Sequence, residues 1–368
     1  MKTLFYAVTA MTVSVLSLSC SRTDSVDENS EIRQKLDFMA DSILQKTGLP
    51  GMVVGVWAPK KHLEYLEGKG VADMITKNPV KSDFNFRAGS LTKTFTVTLI
   101  LQLVDENKLM LDDHLSKFFP DFPNAEIISV RNLANMTSGI PEYTATQEFG
   151  SILSGDPLHQ WQPEELIALV KDRPLLFQPG TKGYYSNSNT VLLGMIITKI
   201  TGKTLAENYN SRILNPLKLT RTVFPINNLM PFNYMKGYET DQTPGVYDFD
   251  VSEFFDPSYA GAAGAMISNV GNLKTWVESL VGGKMISAGL HSQRFAGLPI
   301  AEKHATIYGL GMLTFGDGYW GHTGELFGYS TVMMHNQETG ATIVIAYNYQ
   351  NPQNLPDDFY RKIVRILK

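Results

Sequence analysis

Residues 86–95 read Phe-Arg-Ala-Gly-Ser-Leu-Thr-Lys-Thr-Phe, and the residues after them are rich in Leu, Ile, Val and Thr. Within this segment an apolar residue recurs at every fourth position: Leu91, Phe95, Leu99 and Leu103. That spacing predicts a helix. Further apolar residues widen the face until it covers most of the circumference, which is typical of a helix buried inside a protein. The pattern stops at residues 105–107, where we expect the helix to end.

Ser90 and Lys93 are three positions apart, so a helix that begins at or just before Ser90 places both side chains on one face. Gly89 permits a close approach of another backbone, and the helix start favours negative charge on Ser90. Burial lowers the pKa of a lysine, so we predict that Lys93 takes the proton of Ser90 and leaves a nucleophilic alkoxide. Taken alone, Ser-x-x-Lys is a weak pattern, and a serine at a helix start is also a common N-cap.

The composition bounds the class of protein. The chain has 368 residues, is 43% hydrophobic and carries a net charge of −4. It is long enough for a large core and two lobes. The mild acidity and the lack of a basic stripe in the sequence exclude a nucleic-acid partner. The sequence does not indicate an oligomeric state.

Residues 1–20 resemble a targeting segment. Residues 4–18 are uncharged and mostly apolar, but too short and serine-rich for a membrane span. Cys20 is the sole cysteine and follows directly, as in a bacterial lipoprotein signal, so we predict lipidation there; an ordinary secretory signal is the alternative. Residues 21–31 form a polar tether. We therefore expect an exported protein, periplasmic or on the outer surface, held to the membrane by a lipid anchor at Cys20, and we exclude residues 1–24 from the fold.

Hydrophobic periodicity predicts the fold class. Strands are expected at both ends of the chain, at residues 51–57, 63–66, 307–313, 329–336 and 342–347. Helices are expected at residues 28–46, 130–135, 164–171, 189–200, 205–213, 272–280 and 357–367. The pattern indicates an α/β protein in the α+β sense, with one antiparallel sheet built from both chain ends and flanked by helices. One lobe comprises residues 25–110 plus 251–368, and an inserted, mostly helical lobe comprises residues 111–250. Small residues at 260–268 suit a backbone that another group approaches closely.

A second motif lies in a loop before a predicted helix. Residues 183–187 read Gly-Tyr-Tyr-Ser-Asn. A tyrosine beside a lysine can relay a proton, and an asparagine amide can hold both a lysine and a substrate amide. Tyr185 and Asn187 are therefore candidates for the same site. A buried tyrosine and a helix-capping asparagine remain the alternative.

A third motif lies in a predicted strand region, where residues 321–325 read Gly-His-Thr-Gly-Glu. An extended segment beside the serine can present a backbone N–H to the carbonyl under attack. The N–H groups of Ser90 and Glu325 would then form an oxyanion hole, in which each donor is worth about 2.7–4 kcal/mol. Thr323 can hydrogen-bond a substrate carboxylate. His322 is also compatible with a structural role.

Together these segments resemble the three signatures of the penicillin-recognising serine hydrolases: Ser90-x-x-Lys93, Tyr185-x-Asn187 and His322-Thr323-Gly324. That family includes D-alanyl-D-alanine carboxypeptidases, class C β-lactamases and related esterases. Residues 102–109, residues 130–133 with 137–140, and residues 185–187 running on to 193–194 look like the same family. The resemblance covers the chain from about residue 30 to its end.

The resemblance implies a β-lactamase/DD-peptidase-like fold and a covalent acyl-enzyme with Ser90 as the nucleophile. Lys93 and Tyr185 would share the proton transfers, and Asn187 would position the substrate. The oxyanion would be bound by the N–H groups of Ser90 and Glu325. The third motif, His322, Thr323 and Gly324, would lie near the substrate carboxylate. No metal is implied.

The His-Thr-Gly motif looks like the DD-peptidase branch, because class C β-lactamases typically carry Lys-Thr-Gly. One departure weakens that assignment: after residues 308–312 the DD-peptidase branch has an arginine, whereas Leu313, Thr314 and Phe315 stand here. The leading hypothesis is a D-alanyl-D-alanine carboxypeptidase-like enzyme acting on small cell-wall peptides. The alternatives are a class C-like β-lactamase, an esterase, or a penicillin-binding sensor that does not turn over.

Overall fold

The structure is a computed structural model that describes residues 28–239, 249–300, 305–350 and 355–368. The predicted signal and tether at residues 1–24, with Cys20, lie outside the described residues. Among the helices that are described, none is both long and apolar enough to cross a membrane.

Most strands come from the two ends of the chain, as predicted. They are β1 (Gly51–Ala58), β2 (Leu63–Gly70), β3 (Phe86–Arg87), β4 (Tyr238–Glu239), β5 (Phe249–Asp250), β6 (Ile267–Ser268), β7 (Leu298–Ile300), β8 (Ala305–Tyr308), β9 (Leu313–Thr314), β10 (Trp320–Leu326), β11 (Tyr329–His335) and β12 (Thr342–Tyr347). Eight of these form one antiparallel sheet in the order β2-β1-β12-β11-β10-β9-β8-β7. The N-terminal hairpin therefore pairs with the last strand, which confirms the predicted sheet.

The helices are α1 (Glu28–Thr47), α2 (Thr92–Asp105), α3 (Val130–Ala134), α4 (Gln147–Gly155), α5 (Pro163–Ala168), α6 (Asn187–Thr201), α7 (Leu205–Tyr209), α8 (Gly261–Gly264), α9 (Val270–Val281), α10 (Ala288–Arg294) and α11 (Leu355–Leu367). Apart from α2, seven helices were predicted, and all seven are present. Helix α7 ends early and continues as a π-helical turn over Asn210–Leu214. Helices α4, α8 and α10 were not predicted. The division into two lobes stays a prediction.

Both faces of the sheet are covered, so all eight residues of β1 are buried. Successive side chains of a strand point to opposite faces. Met52 and Val54 accordingly pack in one core with α1 and α11, while Val53 and Trp57 pack in the other core with α2 and α9. Helix α2 thus lies inside the protein, between the sheet and the helices of residues 111–250.

The predicted strand at residues 307–313 is wrong, because the chain turns between β8 and β9. Gly311 has a φ of +74° and donates its N–H to the Ala134 carbonyl at 3.0 Å. A Cβ at this position would lie 2.5 Å from Val97 of α2. A strand cannot continue through a left-handed residue that is pressed against a helix, so two short strands replace one.

Candidate active site

Ser90 lies in a 3₁₀ turn, Gly89–Leu91, that leads directly into α2. The predicted helix start is therefore correct in position, although its first turn is tighter than an α-helix. The Thr92 hydroxyl donates to the Gly89 carbonyl at 2.7 Å, and the Ala88 N–H donates to the Met266 carbonyl at 2.7 Å. These bonds fix the turn from both sides, so the serine is held at the mouth of a buried helix.

Lys93 is fully buried and reaches three oxygen atoms. Its Nζ lies 3.0 Å from Ser90 Oγ, 2.6 Å from Asn187 Oδ1 and 2.8 Å from the Ala263 carbonyl oxygen. The structure thus brings the first two motifs together across 94 residues of chain. It also explains the small residues at 260–268, because the Ala263 carbonyl is the third partner of the amine.

The chemistry of these three oxygens matters for the proton. Asn187 Oδ1 and the Ala263 carbonyl can only accept hydrogen bonds, whereas the Ser90 hydroxyl can also donate. A neutral amine can therefore donate to both fixed acceptors and accept from Ser90. That pattern is the one that a base needs before it takes the serine proton.

Tyr185 lies beside this pair. Lys93 Nζ is 4.8 Å from the centre of the Tyr185 ring. Burial raises the pKa of Tyr185 well above 10, the nearby Tyr308 raises it further, and a hydrogen bond with Ser90 lowers it. At neutral pH the phenol therefore keeps its proton, so it can donate a hydrogen bond to Ser90 or to a leaving group.

The backbone of Glu325 lies against Gly89, as an oxyanion hole requires. A Cβ at Gly89, whose φ is +57°, would lie 2.9 Å from the Glu325 nitrogen. A Cβ at Gly324 would lie 2.3 Å from the Ala88 carbonyl and 3.2 Å from the Ser90 nitrogen. Only glycine at both positions allows this approach, so strand β10 is placed with the Glu325 amide next to that of Ser90.

His322 and Thr323, which the family resemblance places near the substrate carboxylate, both lie on β10 and are buried. The His322 ring is fully buried, 6.1 Å from the Tyr185 ring, with Nε2 3.0 Å from the Tyr308 hydroxyl. Its Nδ1 faces the Thr323 carbonyl. The ring thus contacts the aromatic rings of Tyr185 and Tyr308. The role of both residues near the substrate carboxylate stays a prediction, and Thr323 retains slight exposure.

Glu142 is a functional candidate that the sequence analysis missed. Its side chain lines the same cleft as Ser90 and accepts hydrogen bonds from the backbone N–H groups of Asn187 and Thr144. The carboxylate therefore stands at the first turn of α6, which carries Asn187. Its position just after residues 137–140, within the segment that resembles the family, was the signal that could have indicated it.

The cleft above these residues has a volume of about 380 Å³. The carboxylates of Glu142 and Glu325 line this cleft, and so does Asn187, which accepts the hydrogen bond from Lys93. Much of its apolar wall is aromatic, with Tyr143, Phe149, Tyr259 and Phe327, and Leu326 adds to it. Such a surface suits a substrate with an apolar side chain and a positive charge.

The comparisons with known proteins agree with this geometry. The Beta-lactamase family profile matches residues 32–365. Protein flp of Staphylococcus aureus (strain MRSA252) is 27% identical over 329 residues, which are 87% of this chain and 63% of flp. The chain thus spans less than two thirds of the length of that relative.

Two solved structures are similar over nearly their whole length. A D-stereospecific amidohydrolase from Streptomyces sp. is 30% identical, with a TM-score of 0.77, over 88% of this chain and 94% of that one. D-amino acid amidase from Ochrobactrum anthropi SV3, solved with D-phenylalanine, is 25% identical, with a TM-score of 0.81, over 92% and 100%.

The fold and the match over most of the chain define the class: this is a protein with the fold of the β-lactamases and penicillin-binding proteins. The chain belongs to the Beta-lactamase family. The resemblance and the fold predicted from its motifs are confirmed.

Proposed function

We propose that this protein hydrolyses the amide bond of short D-amino acid peptides or amides through an acyl-enzyme on Ser90. The observation that carries the proposal is the 3.0 Å contact between Lys93 Nζ and Ser90 Oγ, beneath a cleft that two other motifs complete. The names of two structural neighbours, a D-stereospecific amidohydrolase and a D-amino acid amidase, support an amide of a D-amino acid.

The steps follow from the contacts. Ser90 Oγ attacks the substrate carbonyl while its proton passes to Lys93, and the N–H groups of Ser90 and Glu325 hold the oxyanion. The C–N bond then breaks as the leaving amine receives a proton from Lys93, relayed by Tyr185. A water molecule attacks the resulting ester, gives its proton to the same base and releases the acid with Ser90 restored.

The cleft favours a substrate whose acyl part carries a free ammonium group. The carboxylates of Glu142 and Glu325 attract a cation, and the aromatic wall accepts an apolar side chain. Charge-assisted hydrogen bonds to such a group are roughly twice as strong as neutral ones. Asn187 accepts from Lys93 through its oxygen, so its NH₂ group is the end that can donate to the substrate.

The second candidate is a D-alanyl-D-alanine carboxypeptidase-like reaction, which the His322-Thr323-Gly324 motif favours. Its substrate ends in a carboxylate rather than an ammonium group. Where the carboxypeptidase branch has an arginine, Leu313, Thr314 and Phe315 are all buried. A terminal carboxylate would therefore rely on Thr323, so we rank this reaction behind the first.

A panel of matched substrates separates these functions. D-phenylalanine amide, its N-acetyl derivative and an N-acylated peptide ending in D-Ala-D-Ala are compared by kcat/KM. We expect the free amine to be preferred, and Glu142→Gln to raise its KM about tenfold while the N-acetyl amide changes little. A structural effect of the substitution would weaken both amides equally.

Other outcomes select the alternatives. Preference for the D-Ala-D-Ala peptide selects the carboxypeptidase, and steady turnover of a chromogenic cephalosporin selects a β-lactamase. Cleavage of p-nitrophenyl esters without amide cleavage selects an esterase, and one acylation without turnover selects a sensor. Amide hydrolysis that persists in Ser90→Ala contradicts the whole proposal.

We also propose that the protein is exported and tethered by a lipid at Cys20. Its support is the apolar segment directly before the sole cysteine. Metabolic labelling with a radioactive fatty acid should mark the wild-type chain in the membrane fraction and leave Cys20→Ala unlabelled. Labelled Cys20→Ala, or an unlabelled wild type, contradicts the proposal.

A further inference from the structure

Helix α8 carries the Ala263 carbonyl that accepts from Lys93, but it is too short to be stable by itself. It has four residues, and isolated helices shorter than about 12–15 residues are marginal in water. The last carbonyl groups of a helix also lack helical partners. The Met266 N–H, which would reach the Ala262 carbonyl in a longer helix, donates instead to the Thr92 hydroxyl at 3.1 Å. The Ala262 carbonyl therefore depends on a donor from another element.

That donor is the hydroxyl of Thr96 in α2. Its Oγ1 lies 2.6 Å from the Ala262 carbonyl oxygen and 2.6 Å from the Tyr209 hydroxyl, whereas the Thr92 carbonyl is farther away, at 3.3 Å. A hydroxyl has one proton to donate, and a carbonyl oxygen can only accept. Since Thr96 donates to Ala262, Tyr209 must donate to Thr96. The two hydroxyls thus form a relay that runs from Tyr209 through Thr96 to α8.

Tyr209 is suited to remain the donor of this relay. Burial raises the pKa of Tyr209 above 10, although the hydrogen bond with Thr96 lowers it in part, so the phenol keeps its proton at neutral pH. Both side chains are fully buried, and the Tyr209 ring packs against Phe224 with the ring centres 5.1 Å apart. The relay is therefore closed to solvent and held by packing.

The relay lies next to the acceptor of the catalytic amine. Ala262 and Ala263 are consecutive, so a hydrogen bond that fixes one carbonyl restrains the other, which accepts from Lys93 at 2.8 Å. Helix α6 presses on the same turn, because a Cβ at Gly194 would lie 2.7 Å from the Ala262 Cβ. Thr96 follows Lys93 by three residues on α2. One helix thus carries both the amine and the hydroxyl that fixes its acceptor.

We propose that Thr96 and Tyr209 are positioning residues for Lys93. Their hydroxyls hold the Ala262 peptide and, through it, the Ala263 carbonyl that directs the amine towards Ser90. Neither side chain is among those that line the described part of the cleft, so each acts through α8. The inference rests on the proposed role of Lys93 as the base for Ser90, but not on the identity of the amide substrate.

The test measures the rate at which a labelled penicillin acylates Ser90 as a function of pH, because this rate does not depend on the natural substrate. Thr96→Val keeps the branched shape and removes the hydroxyl. We expect the maximal rate to fall about 10–100-fold, since a misplacement of about 1 Å can cost that much. A poorly placed Ala263 carbonyl also stabilises the ammonium form of Lys93 less. The acidic limb of the profile should therefore move to lower pH by about 0.5–1 unit.

The acidic limb reports Lys93 because the variants leave its titratable surroundings in place. These surroundings comprise Tyr185, Glu142, Glu325, Tyr308 and His322. Thr98→Val is the matched control: Thr98 is equally buried on α2, but its hydroxyl bonds Arg294 and the Thr94 carbonyl instead of α8. It should leave the rate and the limb close to those of wild type. Thermal unfolding checks that both variants are folded.

Two further variants distinguish the relay from a general packing effect. Thr96→Ser keeps the hydroxyl and should restore both the rate and the limb. Tyr209→Phe should move the limb in the same direction as Thr96→Val, and by less. Added to Thr96→Val, it should move the limb no further, because Tyr209 acts through Thr96.

Three outcomes overturn the proposal: an acidic limb that coincides in wild type and folded Thr96→Val, an equal loss in Thr98→Val, or no recovery in Thr96→Ser. A wild type that is acylated but cleaves no D-amino acid amide contradicts the proposed substrate alone. In that case the comparison of Thr96→Val with wild type still decides whether the relay positions Lys93.

Discussion

Helix α2 carries a buried basic side chain, Lys93, at its N-terminal end and contacts another, Arg294, at its middle, and only Lys93 bonds a residue that lines the cleft. Lys93 reaches Ser90, Asn187 and the Ala263 carbonyl. Arg294, at the end of α10, donates to the Thr98 hydroxyl at 2.8 Å and to the Leu280 carbonyl at 3.4 Å. Both side chains are at most 1% exposed. Burial alone therefore does not make a catalytic group.

The two side chains differ in whether they can give up a proton at neutral pH. Burial lowers the pKa of Arg294 to about 9, so the guanidinium stays charged at neutral pH. A lysine in a similar setting can lose its proton, and Lys93 has a hydroxyl beside it that can supply one. The comparison indicates that Lys93, at the N-terminal end of α2, can take part in proton transfer. Arg294 instead connects α10 to α2 and α9.

The largest expected effect on activity comes from replacing Lys93 with arginine. Lys93→Arg replaces an amine that can accept the serine proton with a guanidinium that cannot, so kcat/KM for the amide substrate should fall about 10²–10⁴-fold. Arg294→Lys, which changes the structural cation instead, should remain within about threefold of wild type. Substantial activity in folded Lys93→Arg would contradict the claim that Lys93, unlike Arg294, accepts a proton during the reaction.

The next effect concerns the phenol. Tyr185→Phe removes the hydroxyl that bonds Ser90 and should lower kcat about 10²-fold with little change in KM. Because the pKa of Tyr185 is raised well above 10, by burial first, the activity of wild type should show no loss below pH 10 from ionisation of this phenol. A basic limb near pH 8 that disappears in Tyr185→Phe would show that the phenol ionises in the working range.

Alkaline stability tests the burial on which the comparison rests. Burial raises the pKa of Tyr185, Tyr143 and Tyr347 well above 10. Above pH 10 the unfolded chain loses these protons first and binds fewer than the native chain, so the free energy of unfolding should fall with pH. Each such tyrosine contributes about 1.4 kcal/mol per pH unit. Urea unfolding between pH 8 and 11 measures the slope, and a flat profile contradicts the burial.

The smallest effect belongs to the structural cation. Arg294→Met removes the hydrogen bonds to Thr98 and Leu280 and should lower the free energy of unfolding by about 1–3 kcal/mol. The catalytic end of α2 is more than one turn away, so kcat/KM should stay within about threefold. Urea unfolding and kinetics on one preparation measure both quantities. A tenfold loss of activity in the folded variant would mean that the two sites are coupled.

The elements that could be predicted are those whose residues follow a local pattern of spacing along the sequence. The four-residue spacing from Leu91 to Leu103 gave helix α2, and alternation or β-branched runs gave β1, β11 and β12. Ser90 and Lys93 are neighbours on that helix. Their meeting with residues 185–187 and 321–325 came only from the family resemblance, because periodicity does not indicate which distant segments touch.

The parts that could not be predicted depend on such distant contacts. Glu142 bonds to the backbone of Asn187 across 45 residues, and no local pattern marks that pair. His322 Nε2 lies 3.0 Å from the Tyr308 hydroxyl of β8, and the three-residue motif alone does not indicate this partner. The break between β8 and β9 depends on Gly311 meeting both Ala134 and Val97. Each of these features is set by packing between elements far apart in the sequence.

The most direct test of the account is to incubate the protein with a labelled penicillin and to map any adduct by mass spectrometry. We expect one adduct per chain, on Ser90, formed by the full-length protein and absent from Ser90→Ala. In Lys93→Arg the same adduct should form about 10²–10⁴-fold more slowly. An adduct on another residue, or an equal rate of labelling in Lys93→Arg, would contradict the claim that Lys93 activates Ser90.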